Sequence, residues 1–178
     1  VRFSKDGYTS YESDAFVLNA GNELTVDGKE LISLYGSIYG KSSSEGETVS
    51  LTRGESVLST VVTSSDRSYS FSDITPGEYK VTFSKDDYKS SPATVVSVEA
   101  GKSVEVNGPV LISMYGSVEG KSHSGEEMVT LIDEKGSQYL SIVSNSDGSY
   151  SFPKVLVGTY SVKFSKSGFA SHIVSDVV

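Results

Sequence analysis

The chain has 178 residues, of which 37% are hydrophobic, and its 15 Lys and Arg against 23 Asp and Glu give a formal net charge of −8. It contains no Cys, which excludes a disulfide scaffold, a thiol nucleophile and Cys-ligated zinc, and the acidic balance opposes non-specific binding to nucleic acid or anionic lipid. No apolar run approaches the roughly 18–20 residues that span a bilayer, while core-forming residues spread along the whole chain predict a folded, β-rich protein.

The first thirty residues open on Phe3-Ser4-Lys5 and the turn Lys5-Asp6-Gly7-Tyr8. Two short apolar runs follow, Phe16-Val17-Leu18 and Leu24-Thr25-Val26, on either side of Ala20-Gly21-Asn22. At Leu31 a new pattern begins, Leu-Ile-Ser-Leu-Tyr-Gly-Ser-Ile, and it returns at Leu111 as Leu-Ile-Ser-Met-Tyr-Gly-Ser-Val. Between 31–51 and 111–131, 13 of 21 positions are identical at an offset of 80. Phe-Ser-Lys occurs at Phe3, Phe83 and Phe164, so the third copy carries one extra residue, between Leu131 and Asp147. Residues 1–30 therefore read as the C-terminal strands of a preceding, partial repeat. Residues 31–110 read as a complete repeat, and 111–178 as a second repeat lacking its last strand. A period this long exceeds the 20–50 residues of solenoids, so each repeat is expected to close a core of its own.

Within the complete repeat, period-2 alternation predicts strands near 32–39, 47–52, 57–63, 68–72, 78–84, 92–98 and 102–107. Tyr79, Val81 and Phe83 share one face, and Lys80, Thr82 and Ser84 the other; Tyr160, Val162 and Phe164 repeat the pattern. One apolar and one polar face fit antiparallel sheets packed on a single side. Lys85-Asp86-Asp87-Tyr88 and Lys166-Ser167-Gly168-Phe169 fall where residues 5–8 fall in the first copy, and predict hairpin turns with positive φ. Seven short strands with turns every 8–12 residues predict an all-β fold of tandem immunoglobulin-like, seven-stranded β-sandwiches. Phe83→Ala or Phe164→Ala is expected to cost about 3–5 kcal/mol through the cavity it leaves.

The runs Tyr35-Gly-Ser-Ile-Tyr-Gly-Lys, Val49-Ser-Leu and Asp66-Arg-Ser-Tyr-Ser-Phe-Ser-Asp-Ile-Thr-Pro-Gly-Glu-Tyr-Lys-Val resemble the carboxypeptidase regulatory-like or B-type collagen-adhesin family. So does Asp147-Gly-Ser-Tyr-Ser-Phe-Pro-Lys-Val-Leu-Val-Gly-Thr-Tyr-Ser-Val in the second copy. The resemblance covers nearly all of each repeat. It implies transthyretin-like sandwiches strung in tandem as stalks of secreted and cell-surface proteins, with a motif that is a folding signature and not an active site. Some B-type adhesin domains carry a Lys–Asn isopeptide cross-link assisted by a buried acid. By that resemblance Lys41, Lys121 and Asn107 are the first candidates.

Chemistry has few footholds. His123 and His172 do not occupy equivalent positions in the two copies. No H-E-x-x-H, triad spacing, G-x-S-x-G elbow or phosphate-binding glycine loop is present. The reading is therefore a non-enzyme with no catalytic, cofactor-binding or metal-binding residues assigned. Asn145, Asp147, Asp66 and Asp73 are the oxygens available to Ca²⁺, but the strict loop is missing, and Asp147-Gly148 and Asp66 read more simply as turn initiators. Tyr11, Tyr35, Tyr39, Tyr88 and Tyr115 are the candidates for a sugar-stacking surface, against the commoner use of Tyr in half-buried strand packing.

The expected function is a non-enzymatic extracellular structural repeat forming a stalk or filament of a cell-surface protein. The alternative is an adhesin-type module that recognises glycan or matrix. The expected partners are neighbouring copies of the same repeat, and no cofactor is called for. The phase of the ends leaves two explanations open. Either the chain is a window on a longer array, or the N-terminal segment of one subunit supplies the strand that the last repeat of the next subunit lacks.

Overall fold

The computed structural model describes residues 1–177, and the side chains of residues 1–175. Among the described residues every regular element is a strand. The chain divides into two compact units, Val1–Ile112 and Ser113–Val178, and each is described by itself.

In the first unit, β1 (Arg2–Phe3) and β2 (Tyr11–Glu12) form an antiparallel ribbon. They are followed by β3 (Gly36–Lys41), β4 (Thr48–Arg53), β5 (Ser56–Val62), β6 (Ser68–Ile74) and β7 (Gly77–Ser84). The two-residue β8 (Tyr88–Lys89) precedes β9 (Thr94–Val98) and β10 (Ser103–Glu105). One sheet runs β10-β3-β6 and the other β5-β4-β7-β9, an immunoglobulin-like sandwich with all seven expected strands. The alternation works as read: Tyr79, Val81 and Phe83 are at most 2% exposed and pack with Ile38, Val49, Leu51, Tyr69 and Phe71.

Two features depart from the expectation. The first strand starts at Gly36 and not at 32, because the backbone of Ile32–Leu34 pairs instead with residues 7–9, with the Thr9 N–H on the Ile32 carbonyl (2.8 Å) and the Leu34 N–H on the Gly7 carbonyl (2.7 Å); Ile32, Leu34 and Tyr35 are left exposed. In addition, β10 lies parallel to β3, with Ser103 opposite Ser37 and Glu105 opposite Tyr39. The chain crosses from one sheet to the other between β9 and β10, so the pair need not be antiparallel.

The second unit repeats the plan. After β11 (Ile112–Ser113) come β12 (Tyr115–Lys121), β13 (Met128–Asp133), β14 (Gln138–Val143), β15 (Ser149–Leu156), β16 (Tyr160–Ser165) and β17 (His172–Val177). Its sheets are β12-β15 and β14-β13-β16-β17, around Val129, Leu131, Phe152, Val155, Tyr160 and Val162. Among the described residues, nothing occupies the place that β10 takes in the first unit. The predicted turn is built three times, with the N–H of Tyr8, Tyr88 and Phe169 bonded to the carbonyl of Lys5, Lys85 and Lys166 (3.1 Å each). Only its third residue has positive φ, at Gly7, Asp87 and Gly168 (78°, 68° and 83°).

Candidate functional site: loop staples and an open sheet edge

Each unit carries the same polar staple under the loop between its first two long strands. In the first unit Glu47 is fully buried. Its Oε1 accepts from the Ser43 hydroxyl (2.6 Å), the Ser44 N–H (2.7 Å) and the Ser44 hydroxyl (3.0 Å). The Glu47 N–H donates to Thr63 Oγ1 (3.0 Å), and Lys85 Nζ donates to Ser44 Oγ and to the Glu45 carbonyl (3.0 Å each). In the second unit the Glu127 N–H donates to Ser144 Oγ (3.0 Å), the Ser124 N–H donates to Glu127 Oε1 (3.1 Å), and Lys166 Nζ reaches the Gly125 carbonyl (2.8 Å). Sequence reasoning passed over these residues, reading the serines as polar strand faces. The signal was there: Ser-x-Ser-x-x-Glu recurs at the repeat offset, and the lysine is that of Phe-Ser-Lys.

The acidic candidates serve turns. Asp66 Oδ1 accepts from the Ser64 hydroxyl (2.6 Å), the Ser68 hydroxyl (2.7 Å) and the Ser68 N–H (3.0 Å). These bonds, that from Ser64 first, hold its carboxyl far below the usual range. Asp147 is lowered by the Ser149 hydroxyl and N–H, and Glu127 by the Ser124 hydroxyl above all. Asn145 Nδ2 donates to Ser149 Oγ (2.8 Å), and Asp73 takes a left-handed φ of 56° beside the bulge between β3 and β6. Among the described residues no three His, Asp or Glu side chains are grouped to hold a metal. A carboxyl depressed by folding stabilises above its unfolded pKa of about 4 and loses that contribution as pH falls below it. The thermal midpoint is therefore expected to drop between pH 5 and pH 2, and to drop less in Asp66→Asn and Asp147→Asn; an equal drop in the variants would place the acid sensitivity elsewhere.

The remaining candidates are scattered. Asn107 Oδ1 accepts the main-chain N–H of Lys41 (2.8 Å) while its Nδ2 donates to Glu105 (2.9 Å). The isopeptide candidates Lys41 and Asn107 thus meet through backbone, with both residues exposed, and Lys121 pairs with Asp147 (3.8 Å). Tyr11 stacks on Phe3, and lysines lie over Tyr11, Tyr88 and Tyr115 (Lys29, Lys85 and Lys154). Tyr35 and Tyr39 are exposed, and among the described residues no ring contact joins any two of the five.

The clearest difference between the units is at one sheet edge. In the first, the chain runs on from β10 along β3, with the Val106 N–H on the Tyr39 carbonyl and the Gly108 N–H on the Lys41 carbonyl (2.8 Å each). Tyr69 donates its hydroxyl to the Val106 carbonyl (2.5 Å), and burial pushes its phenol up to about 12. Glycine is needed for this approach, since a Cβ on Gly36 would lie 2.5 Å from the Glu99 carbonyl and one on Gly40 would overlap the Val106 carbonyl. Gly108 rests on the ring of Phe83, leaving it fully buried.

The second unit keeps both glycines, Gly116 and Gly120, but a Cβ on Gly116 would meet nothing within 4 Å. The Tyr150 hydroxyl leans over Gly120, 2.7 Å from a Cβ placed there. Val118 and Phe164 are only partly buried, where their counterparts Ile38 and Phe83 are fully buried. A cavity of about 600 Å³ opens against Lys121, His123, Glu127, Phe164, Lys166 and His172. Lys121 and Phe164 correspond to the two residues that Asn107 and Gly108 cover in the first unit. The two histidines, unrelated in sequence, are thereby brought to one cavity.

Fold and edges together define a pair of carboxypeptidase regulatory-like sandwiches, one closed and one open. Residues 33–109 and 125–178 match the model of the carboxypeptidase regulatory-like domain, and the chain belongs to that family. Among solved structures it is similar to the TIE protein of Bacillus anthracis, at 15% identity over 81% of this chain and 31% of that one, with a TM-score of 0.40. It is similar to a streptococcal ancillary pilin at 14% identity over 80% of this chain and 59% of that one, with a TM-score of 0.44. A DUF3823 family protein from Bacteroides ovatus matches at 12% identity over 80% of this chain and 97% of that one, with a TM-score of 0.33. The chain thus spans less than two thirds of the first two. No curated protein sequence matches it. No helix among the described residues is long and apolar enough to cross a membrane.

Proposed function

We propose that the chain is a non-enzymatic structural repeat of an extracellular, cell-surface protein, acting as a tension-bearing stalk or filament. The observation that carries this reading is the placement of the first and last strands of the complete repeat. β3 and β10 are adjacent and parallel, so pulling the repeat from its two ends slides one strand along the other. That geometry loads the ladder bonds together: Gly101 N–H to Tyr35, Ser37 N–H to Lys102, Val106 N–H to Tyr39 and Gly108 N–H to Lys41. An antiparallel terminal pair would open one bond at a time. The staples support the same role, because they tie the loops of both units to their sheets through buried Thr63 and Glu47 in the first unit and buried Ser144 in the second.

Single-molecule pulling tests it, since forced unfolding is governed by the unfolding barrier. The complete repeat is expected to resist as one high-force event. Val106→Pro, which removes a ladder donor, is expected to lower that force strongly. An unfolding force indifferent to Val106→Pro would reject the load-bearing role. Turnover of a substrate that followed the purified chain would reject the non-enzymatic one.

A further inference from the structure

We propose that the cavity between β5 and β6 of the first unit is a binding site for a small, uncharged phenol. The inference goes beyond the stalk reading and does not depend on it. The cavity has a volume of about 480 Å³, within the range of roughly 300–1,000 Å³ in which proteins hold small molecules. Leu51, Phe71 and Tyr79 line it from the core, each nearly inaccessible, while Leu58, Asp73 and Thr75 line it from the surface.

The chemistry of the ligand is read from the second unit, which fills the equivalent place with a ring of its own. In both units the outer strand of the four-stranded sheet carries one extra residue at a bulge. In β5 it is Leu58, between Val57 and Ser59, which pair with Thr52 and Leu51. In β14 it is Tyr139, between Gln138 and Leu140, which pair with Ile132 and Leu131. The two stand at the same point of the fold, and their side chains differ. Tyr139 reaches across to β15, where its hydroxyl accepts the Leu156 N–H (3.3 Å). Its ring lies 5.1 Å from that of Tyr160 at a tilt of 45°, an ordinary aromatic pairing. Leu156 and Tyr160 correspond to Thr75 and Tyr79, and both of these line the cavity together with Leu58. Leucine has neither a ring nor an oxygen to bridge the strands, and Leu58 stays 54% exposed.

A phenol placed as the Tyr139 side chain is placed sets its ring against Tyr79 and accepts the Thr75 N–H. That donor is on backbone already held in position. The Tyr79 hydroxyl donates to the Thr75 carbonyl (2.6 Å) and lies 2.9 Å from the Thr75 hydroxyl, as the Tyr160 hydroxyl donates to the Leu156 carbonyl (3.0 Å). Arg53 lies over the Tyr79 ring (5.5 Å) but is not among the residues that line the cavity, where Asp73 is the one charged side chain among the described residues. Asp73 opposes a carboxylate on the ligand, and a neutral phenol matches the side chain that the second unit supplies.

The probe is p-cresol, the tyrosine side chain without its backbone. Titrated into the full chain and followed by amide NMR, it is expected to saturate a single site, shifting Leu58, Thr75 and Tyr79 and sparing Tyr139, Leu156 and Tyr160. Toluene keeps the ring and lacks the hydroxyl, and is expected to bind roughly fivefold more weakly, the worth of one neutral hydrogen bond. Leu58→Tyr, at an exposed position, is expected to leave the circular dichroism unchanged and to weaken p-cresol binding about tenfold or more, because the chain then supplies the ring itself. Tyr139→Leu is expected to open a second site that shifts Leu156 and Tyr160. No saturable shift around Thr75, toluene bound as tightly as p-cresol, or a Leu58→Tyr chain that binds like the parent would each overturn the proposal. So would N-acetyl-tyrosinamide binding more tightly than p-cresol, which would make the occupant a tyrosine of a partner chain. The Leu58→Tyr result decides the question whether or not the second unit folds with Tyr139→Leu.

Discussion

Gly40→Ala is expected to destabilise the first sandwich by about 3 kcal/mol, at the upper end of what overpacking costs, while Gly116→Ala in the second changes stability by less than about 0.5 kcal/mol. Both glycines follow a Tyr in the first strand of their repeat, Gly40 at the position of Gly120 and Gly116 at that of Gly36, and they differ in what lies opposite. At Gly40 the obstacle is the Val106 carbonyl, which is backbone and cannot rotate away. Its strand is also held by Val106 N–H on Tyr39 and by the Tyr69 hydroxyl on the Val106 carbonyl itself. A methyl group there must push the closing strand off β3, and Tyr69 then loses its acceptor and its cover. Urea unfolding measures the loss. Absorbance titration gives a second readout: the Tyr69 phenol, held up at about 12 by burial, is expected to move back toward the ordinary value of about 10. A Gly40→Ala chain with unchanged stability and an unchanged Tyr69 titration would mean that the strand after β10 does not lie on β3.

That contrast also marks what could be read without coordinates. Alternation is local, so the inward set Tyr79, Val81 and Phe83 was legible residue by residue, as were the Asp66 and Asp147 turns, whose partners lie two residues away. The parallel pairing of β10 was not, since a period of two is the same for either strand direction. Nor was the task of Gly36 and Gly40, which answer to backbone more than sixty residues further on. The Leu31–Tyr35 run misled because its alternation is real, yet its backbone pairs with residues 7–9 and Ile32, Leu34 and Tyr35 face outward. The staples were hidden by composition: in a serine-rich chain, the few serines that bond a buried Glu47 look like all the others.

Phe83→Ala is expected to cost about 4 kcal/mol, and Phe164→Ala only about half of that. Sequence treats the two as the same residue of the same Phe-Ser-Lys landmark. Phe83 is fully buried, faces Val49 across the ladder, meets the Tyr69 ring edge-on (5.6 Å, 80°) and is covered by Gly108. Truncating it removes a whole ring from a closed core, and the backbone around Gly108 is tied to Lys41, so the void cannot collapse. Phe164 has the matching neighbours Val129 and Tyr150 (5.7 Å, 66°) but lines the open cavity, and part of its surface already meets solvent. With a total stability of roughly 5–15 kcal/mol for a domain, Phe83→Ala is large enough to unfold the first unit at moderate temperature. The two compact units are expected to give separable calorimetric transitions, so each substitution shifts one and spares the other. A Phe164→Ala penalty equal to that of Phe83→Ala would show that Phe164 sits in a core as closed as that around Phe83.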